Sequence, residues 1–207
     1  MTKPTQHYFS DQPVGPEKRR TIAVRLFGRD VELETANGVF SNDGLDLGTA
    51  VLLRESPVPT TAARVLDLGC GYGPIALGLA LAAPAVRVDA VDVNERALAL
   101  CRDNSVRLGV ADRVTALRPE EVAADLRWDE IWSNPPIRIG KAALHDLLST
   151  WLPRLQPRGV ARLVVARNLG ADSLQQWLIT QGYDCDRTGS AKGFRVLEVT
   201  RPEPSRS

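Results

Sequence analysis

Ser133-Asn134-Pro135-Pro136 is the stretch of this chain whose chemistry departs furthest from ordinary loop sequence. Neither proline carries a backbone N–H, so the segment presents carbonyl oxygens and almost no main-chain donors. Asn134 adds a side-chain carbonyl beside them. Such a corner suits an amino group, because it accepts hydrogen bonds from an N–H2 without offering competing donors. A proline-stiffened turn after a strand is the plainer reading of any Asn-Pro pair. The tetrapeptide alone leaves both readings open.

A second constellation precedes it. Asp67-Leu68-Gly69-Cys70-Gly71-Tyr72-Gly73-Pro74 follows the apolar run that begins at Val65. Glycines there let the backbone turn tightly and approach a ligand closely. Pro74 suits an early helical position, where a missing N–H costs nothing. Asp92 closes the next apolar run, where a carboxylate can take the hydroxyls of a ribose. The glycine spacing is GxGxG rather than the GxGxxG of dinucleotide sites, with Pro74 standing where the last glycine would be. Asp67 would repel a pyrophosphate but attract a cationic amino-acid group. S-adenosylmethionine, with an ammonium, a sulfonium and no phosphate, fits these residues better than NAD. A glycine-rich turn without a ligand is the bland alternative, and Asp92 argues against it.

These residues must be positioned by a recognisable framework. From Arg64 onward, apolar strand-like runs alternate with helical patterns. Strands are expected at Val65–Leu68, Val86–Val91, Val114–Leu117, Trp128–Trp132 and Val160–Ala166. Helices are expected from Ile75 to Ala83, Glu95 to Leu108, Lys141 to Leu155 and Ala171 to Gln181, with Tyr183–Arg187 and Phe194–Thr200 extended. That alternation predicts an α/β fold: a Rossmann-like, doubly wound, mainly parallel seven-stranded sheet with helices on both faces. Before it, alternating Ile22, Val24, Leu26, Val31 and Leu33 predict a hairpin turning at Gly28-Arg29-Asp30. A helix over Leu47–Glu55, stopped by Ser56-Pro57, follows. The expected organisation is an N-terminal β-rich extension over 1–60, a catalytic domain over 61–201, and a disordered tail over 202–207, with an extended arm at the very start.

Composition narrows the classes. With 43% hydrophobic and 25% charged residues, the 207-residue chain reads as one soluble globular unit. No apolar run approaches the roughly 18 residues a membrane span needs, and the N-terminus has no hydrophobic signal core, so a cytoplasmic protein is expected. Cys70, Cys101 and Cys185 are widely spaced, and with His7 and His145 the only histidines, neither a disulfide framework nor a metal site is expected. Cys70 reads as structural. His145 reads as a helix-surface residue rather than a ligand. A net charge of +1 leaves nucleic acid open.

With these residues in hand, the chain resembles the class I S-adenosylmethionine-dependent methyltransferases. More narrowly, it resembles the small-subunit ribosomal RNA guanine methyltransferases of the RsmC type, especially their short single-domain forms. The likeness is carried by His7-Tyr8-Phe9-Ser10, Gly38-Val39-Phe40-Ser41, Asp46-Leu47-Gly48-Thr49, Asp67–Gly73, Ser133–Arg138 with Gly140-Lys141, and Lys192-Gly193-Phe194-Arg195-Val196-Leu197. The resemblance implies that Asp67, Leu68, Gly69, Cys70, Gly71 and Gly73 hold the methionine end of S-adenosyl-L-methionine, and that Asp92, Val93 and Asn94 hold its ribose side. It further implies that Asn134, Pro135, Pro136 and Ile137 form the catalytic corner, Asn134 also touching the cofactor. Many relatives carry Phe or Tyr where Ile137 stands, so Phe40 or Phe194 is expected to cover the base. The acidic residue that binds adenine in many relatives is assigned to Glu120. Arg138, Lys141, Lys192 and Arg195 are the expected RNA contacts.

The expected activity is methylation of the exocyclic 2-amino group of a guanine in small-subunit (16S) ribosomal RNA, with the RNA or the small subunit as partner. Alternatives are a protein-glutamine or small-molecule amine N-methyltransferase, which would use the same acceptor geometry, and a non-catalytic cofactor- or RNA-binding module.

Overall fold

The computed structural model describes residues 16–40, 44–61, 63–136 and 140–201. The expected arm with its His7-Tyr8-Phe9-Ser10 motif, Ser41, Ile137, Arg138 and the tail 202–207 lie outside the described residues.

A hairpin of β1 (Arg19–Leu26) and β2 (Arg29–Ala36) comes first, then α1 (Leu47–Glu55). The alternation follows as β3 (Arg64–Leu68), α2 (Pro74–Ala82), β4 (Arg87–Val91), α3 (Glu95–Arg107), β5 (Val114–Leu117), β6 (Trp128–Ser133), α4 (Lys141–Trp151), β7 (Leu155–Ala166), α5 (Ala171–Thr180), β8 (Asp184–Ala191) and β9 (Phe194–Thr200). The seven-stranded sheet runs β5-β4-β3-β6-β7-β9-β8, with β9 antiparallel to both of its neighbours. The expected Rossmann-like α/β sheet with a small β-rich N-terminal element is the observed architecture. Strand order reverses between β3 and β6, and such a switch point opens a crevice at the strands' carboxyl ends. The glycine turn leaves β3 there, and Asn134 leaves β6 there.

Alternation of side chains along the strands builds two cores. Val65, Val88, Ala90 and Trp132 face α1, α2, α3 and the hairpin, whereas Leu66, Ile131, Leu163 and Leu197 face α4 and α5. The segment of α2 from Pro74 to Ala80 is buried throughout, which a helix lying on one sheet would not be. The hairpin is the reason. Its turn brings Phe27 and Leu26 against Gly78 on the outer side of α2, and Phe27 meets Trp132 edge-on at 6.1 Å.

Two boundaries differ from expectation. The hairpin turns at Phe27-Gly28, with φ of 45° and 81°, so Arg29 already belongs to β2. Two residues with positive φ suffice because that turn matches the strands' own twist. Helix α4 ends at Trp151 instead of Leu155, since Pro153 cannot continue the ladder and Leu152–Arg154 tightens into a 3-10 turn. Strand β7 then starts at Leu155, ahead of the expected Val160, with its register against β6 shifted between Trp128 and Glu130.

Hairpin and sheet are joined by one buried amide. Asn104 on α3 accepts the Glu34 N–H (2.7 Å) and donates to the carbonyls of Glu34 (2.9 Å) and Tyr72 (3.1 Å). It thus extends the unpaired edge of β2 and clamps the glycine turn at once. Asn104→Ala strands three backbone groups, and each costs roughly 1–3 kcal/mol when buried unpaired. Urea unfolding of this variant is expected to show a loss of about 3 kcal/mol. A loss below about 1 kcal/mol would mean that water takes over those groups.

Candidate active site

The glycine turn is shaped by the neighbouring strand. Gly69 and Cys70 both donate their N–H to the Val91 carbonyl, at 2.8 and 3.1 Å, which drags the chain across the end of β4. Gly71 (φ 56°) donates to Asp92 Oδ2 at 2.9 Å. Gly73 (φ 96°) is required by packing as well, because a Cβ there would lie 2.8 Å from the Cys101 sulfur on α3. Cβ atoms on Gly69 or Gly71 would meet nothing within 4 Å, so this stretch of backbone is bare.

Both acidic residues serve the turn. Asp67 is fully buried, and its Oδ2 accepts the Ala76 N–H at 2.9 Å. It therefore caps α2, whose own N-cap, Gly73, has no side chain to do so. Asp92 accepts N–H groups from Gly71, Val93 and Asn94. Burial raises its pKa, and those three donors oppose the rise.

Facing the turn is the corner after β6. Ser133 ties the two strands, its hydroxyl donating to the Leu68 carbonyl at 2.6 Å. Asn134 is half-buried, Pro135 buried and Pro136 half-buried. Asn134 Nδ2 donates to Asp46 Oδ1 at 2.6 Å and to Thr49 Oγ1 at 3.0 Å. Among the described residues, no donor takes Asn134 Oδ1 or the Pro135 carbonyl. The cleft between turn and corner is lined by Phe40, Asp46, Thr49, Gly69, Cys70, Gly71, Tyr72, Pro74, Ile75 and Asn134. Among the described residues its walls carry a carboxylate and no cation, with Asp67 and Asp92 behind them. That charge pattern fits a cationic ligand and disfavours a phosphate.

Asp46, Thr49 and Tyr72 line this cleft although the sequence reading assigned them no role. Asp46 caps α1 by accepting the Thr49 N–H (3.0 Å), a pattern legible in the spacing of Asp46 and Thr49. Tyr72 donates its hydroxyl to the Gly44 carbonyl (3.2 Å). Phe40 borders the cleft, 64% exposed. Its turn is held by Asn94, which caps α3 and donates to the Gly38 carbonyl at 2.9 Å.

Other expected site residues are placed elsewhere. Phe194 lies against Gly48, its ring 2.9 Å from where a Cβ would sit, and is not in the cleft lining. Arg195 is paired with Asp172 of α5. Glu120 is exposed and paired with Arg118 at 2.5 Å. Lys141, at the start of α4, and Lys192, in the β8–β9 turn, are exposed. His145, expected on the helix surface, is half-buried and stacks on Trp177 at 3.8 Å. Among the described residues, no group of His, Cys, Asp or Glu side chains has a metal-binding arrangement, and no helix is long and apolar enough to cross a membrane.

Residues 30–198 match the family model of the methyltransferase small domain. An uncharacterised Bacillus subtilis protein, YbxB, is 28% identical over 200 residues, covering 95% of this chain and 99% of that one. The ribosomal RNA small subunit methyltransferase C of a Shewanella strain is 36% identical over 138 residues, 64% of this chain, and the match spans only 39% of that protein. Among solved structures, the 16S rRNA N2 methyltransferase RsmC of T. thermophilus, in complex with AdoMet and guanosine, superposes with a TM-score of 0.78. It is 24% identical, and the match covers 92% of this chain and 52% of that one, a likeness of fold.

Asp67 also sets a pH dependence. Burial raises its pKa from the ordinary 3.8 to about 7, helped by the nearby Asp92 and opposed by the Ala76 N–H. Below pH 4 the group is protonated folded or unfolded. Between pH 4 and 7 only the unfolded chain has lost the proton, so the folded state loses ground as pH rises, and above 7 the penalty is constant. Stability measured from pH 4 to 8 should therefore show Asp67→Asn gaining on the wild type up to about pH 7 and then levelling. A difference that stays flat across this range would refute a buried, late-titrating Asp67.

Proposed function

Since the chain belongs to the methyltransferase small domain family and is an S-adenosylmethionine-dependent methyltransferase, we propose that it methylates the 2-amino group of a guanine in 16S ribosomal RNA. The observation that carries this reading is the acceptor pair at the end of β6: Asn134 Oδ1, turned outward by its bonded Nδ2, and the Pro135 carbonyl. Relatives named for ribosomal RNA methylation support the choice of acceptor. In the same reading, residues 61–201 are the catalytic unit. Residues 1–60 are an extension that adds Phe40, Asp46 and Thr49 to its cleft.

The bare backbone at Gly69 and Gly71 and the carboxylates of Asp67 and Asp92 fit the cofactor. Asp67 acts from beneath the turn, through its charge and its hold on α2. Asp92 has lone pairs left for ribose hydroxyls beyond its backbone bonds. When bound, S-adenosylmethionine supplies a methyl group made electrophilic by its sulfonium. An exocyclic amine delocalises its lone pair into the ring and is a poor nucleophile. Two acceptors that take both of its hydrogens orient the nitrogen for in-line attack, and positioning supplies much of the acceleration. A strong base is unnecessary, because the amine proton becomes acidic once the new N–C bond forms. Phe40 offers an aromatic face to the base, and Lys141 and Lys192 reach RNA phosphates.

The test is transfer of labelled methyl from S-adenosylmethionine into small ribosomal subunits, naked ribosomal RNA and total protein, with wild type and Asn134→Ala. Label in RNA that digests to a methylated guanosine is expected. Asn134→Ala should lower kcat by about 100-fold or more while cofactor affinity changes less than about 3-fold. Label confined to protein would replace the guanine with a glutamine side-chain amide. Equal loss of turnover and cofactor binding would remove Asn134 from the acceptor site.

A further inference from the structure

A carboxamide can serve as an acceptor corner only if its oxygen, and not its nitrogen, faces the substrate. Rotation by 180° exchanges the two ends with almost no change of shape, so something must decide the orientation. Asn134 is at the end of β6, and among the described residues neither Ser133 nor the prolines hydrogen-bond its side chain. Both N–H groups are instead taken from α1, by Asp46 Oδ1 at 2.6 Å and Thr49 Oγ1 at 3.0 Å. An ionised carboxylate is acceptor-only, so a flipped Asn134 would set oxygen against oxygen at hydrogen-bond distance.

Asp46 is itself immobilised. The oxygen that holds Asn134 also accepts the Thr49 N–H as the cap of α1. That helix is pinned by buried Val51, Leu52 and Leu53, and by Phe194 lying over Gly48.

We propose that Asp46, seconded by Thr49, is the positioning residue that fixes the carboxamide of Asn134 with its oxygen toward the acceptor amine. The inference rests on the reading of Asn134 given above. It makes α1, from the extension, part of the catalytic apparatus. Asp46→Ser is the informative variant. Serine keeps the helix cap but is too short to reach Asn134. Asp46→Asn still reaches it, but offers a donor as well as an acceptor, so both amide orientations become allowed.

Two measurements test this. In the proton–nitrogen NMR spectrum, one slowly exchanging side-chain amide pair should be present in the wild type and absent in Asn134→Ala. It should lose protection in Asp46→Ser and appear doubled in Asp46→Asn. In the methyl-transfer assay on small ribosomal subunits at saturating cofactor, Asp46→Ser is expected to lower kcat about 10- to 100-fold with Tm nearly unchanged. In the Asn134→Ala background the same change should have almost no further effect. An amide pair indifferent to Asp46→Ser overturns the inference whatever the substrate proves to be. So does wild-type turnover in Asp46→Ser alongside a large Asn134→Ala loss. Full turnover in Asn134→Ala overturns the acceptor-site reading itself, while the NMR result still stands for or against the orientation.

Discussion

Turning a chain sharply at the end of a buried parallel strand exposes backbone N–H groups that water cannot reach, and the architecture of this protein follows from how they are satisfied. Two carboxylates at the ends of adjacent strands carry that duty. Asp67 takes the Ala76 N–H in the first turn of α2 from below, and Asp92 takes Gly71 from the side. Both side chains are spent on the fold before any ligand arrives, and that arrangement leaves negative charge beneath a bare glycine surface. A site built this way suits a cation, because the carboxyl groups that hold the turn are the ones that attract it once ionised. Asp67 retains one buried oxygen without a partner among the described residues, so the turn holds an electrostatic cost that a cationic ligand relieves.

The segment before the β/α alternation completes the site. Helix α2 is apolar on all sides, and the hairpin covers the side that the sheet cannot. Once docked there, the hairpin is linked through Asn104 to the glycine turn and the turn after it through Gly38 to Asn94, while Gly44, ahead of α1, accepts the Tyr72 hydroxyl. Each link ends within a residue or two of the cleft. Covering an apolar helix and walling the cleft are therefore one event, and loosening the hairpin would disturb both. The same economy governs Asn134, whose orientation is set by the residue that caps α1.

The boundary errors have local causes. Pro153 ends α4 early, and a two-residue turn with positive φ at Phe27 makes the hairpin tighter than Gly28-Arg29-Asp30 suggested. Long-range charge pairing was less legible still. Arg195 is engaged by Asp172 and Glu120 by Arg118. The second pair was visible as near neighbours in sequence, whereas the first depends on where α5 packs against β9.

The amino-acid sequence by itself determined the seven-strand alternation, the glycine turn and the donor-poor main chain at Asn134-Pro135-Pro136. All of these are local: backbone freedom, missing N–H groups and side-chain periodicity are properties of a few consecutive residues. Only the tertiary structure decided that Asp67 lies beneath the turn and not in the cleft, that Phe40 borders the cleft while Phe194 packs on α1, and that Asp46 holds Asn134 across 88 positions of chain. Those outcomes depend on which oxygen faces which donor once two layers of helices have packed. A contact between distant residues leaves no period or spacing to read.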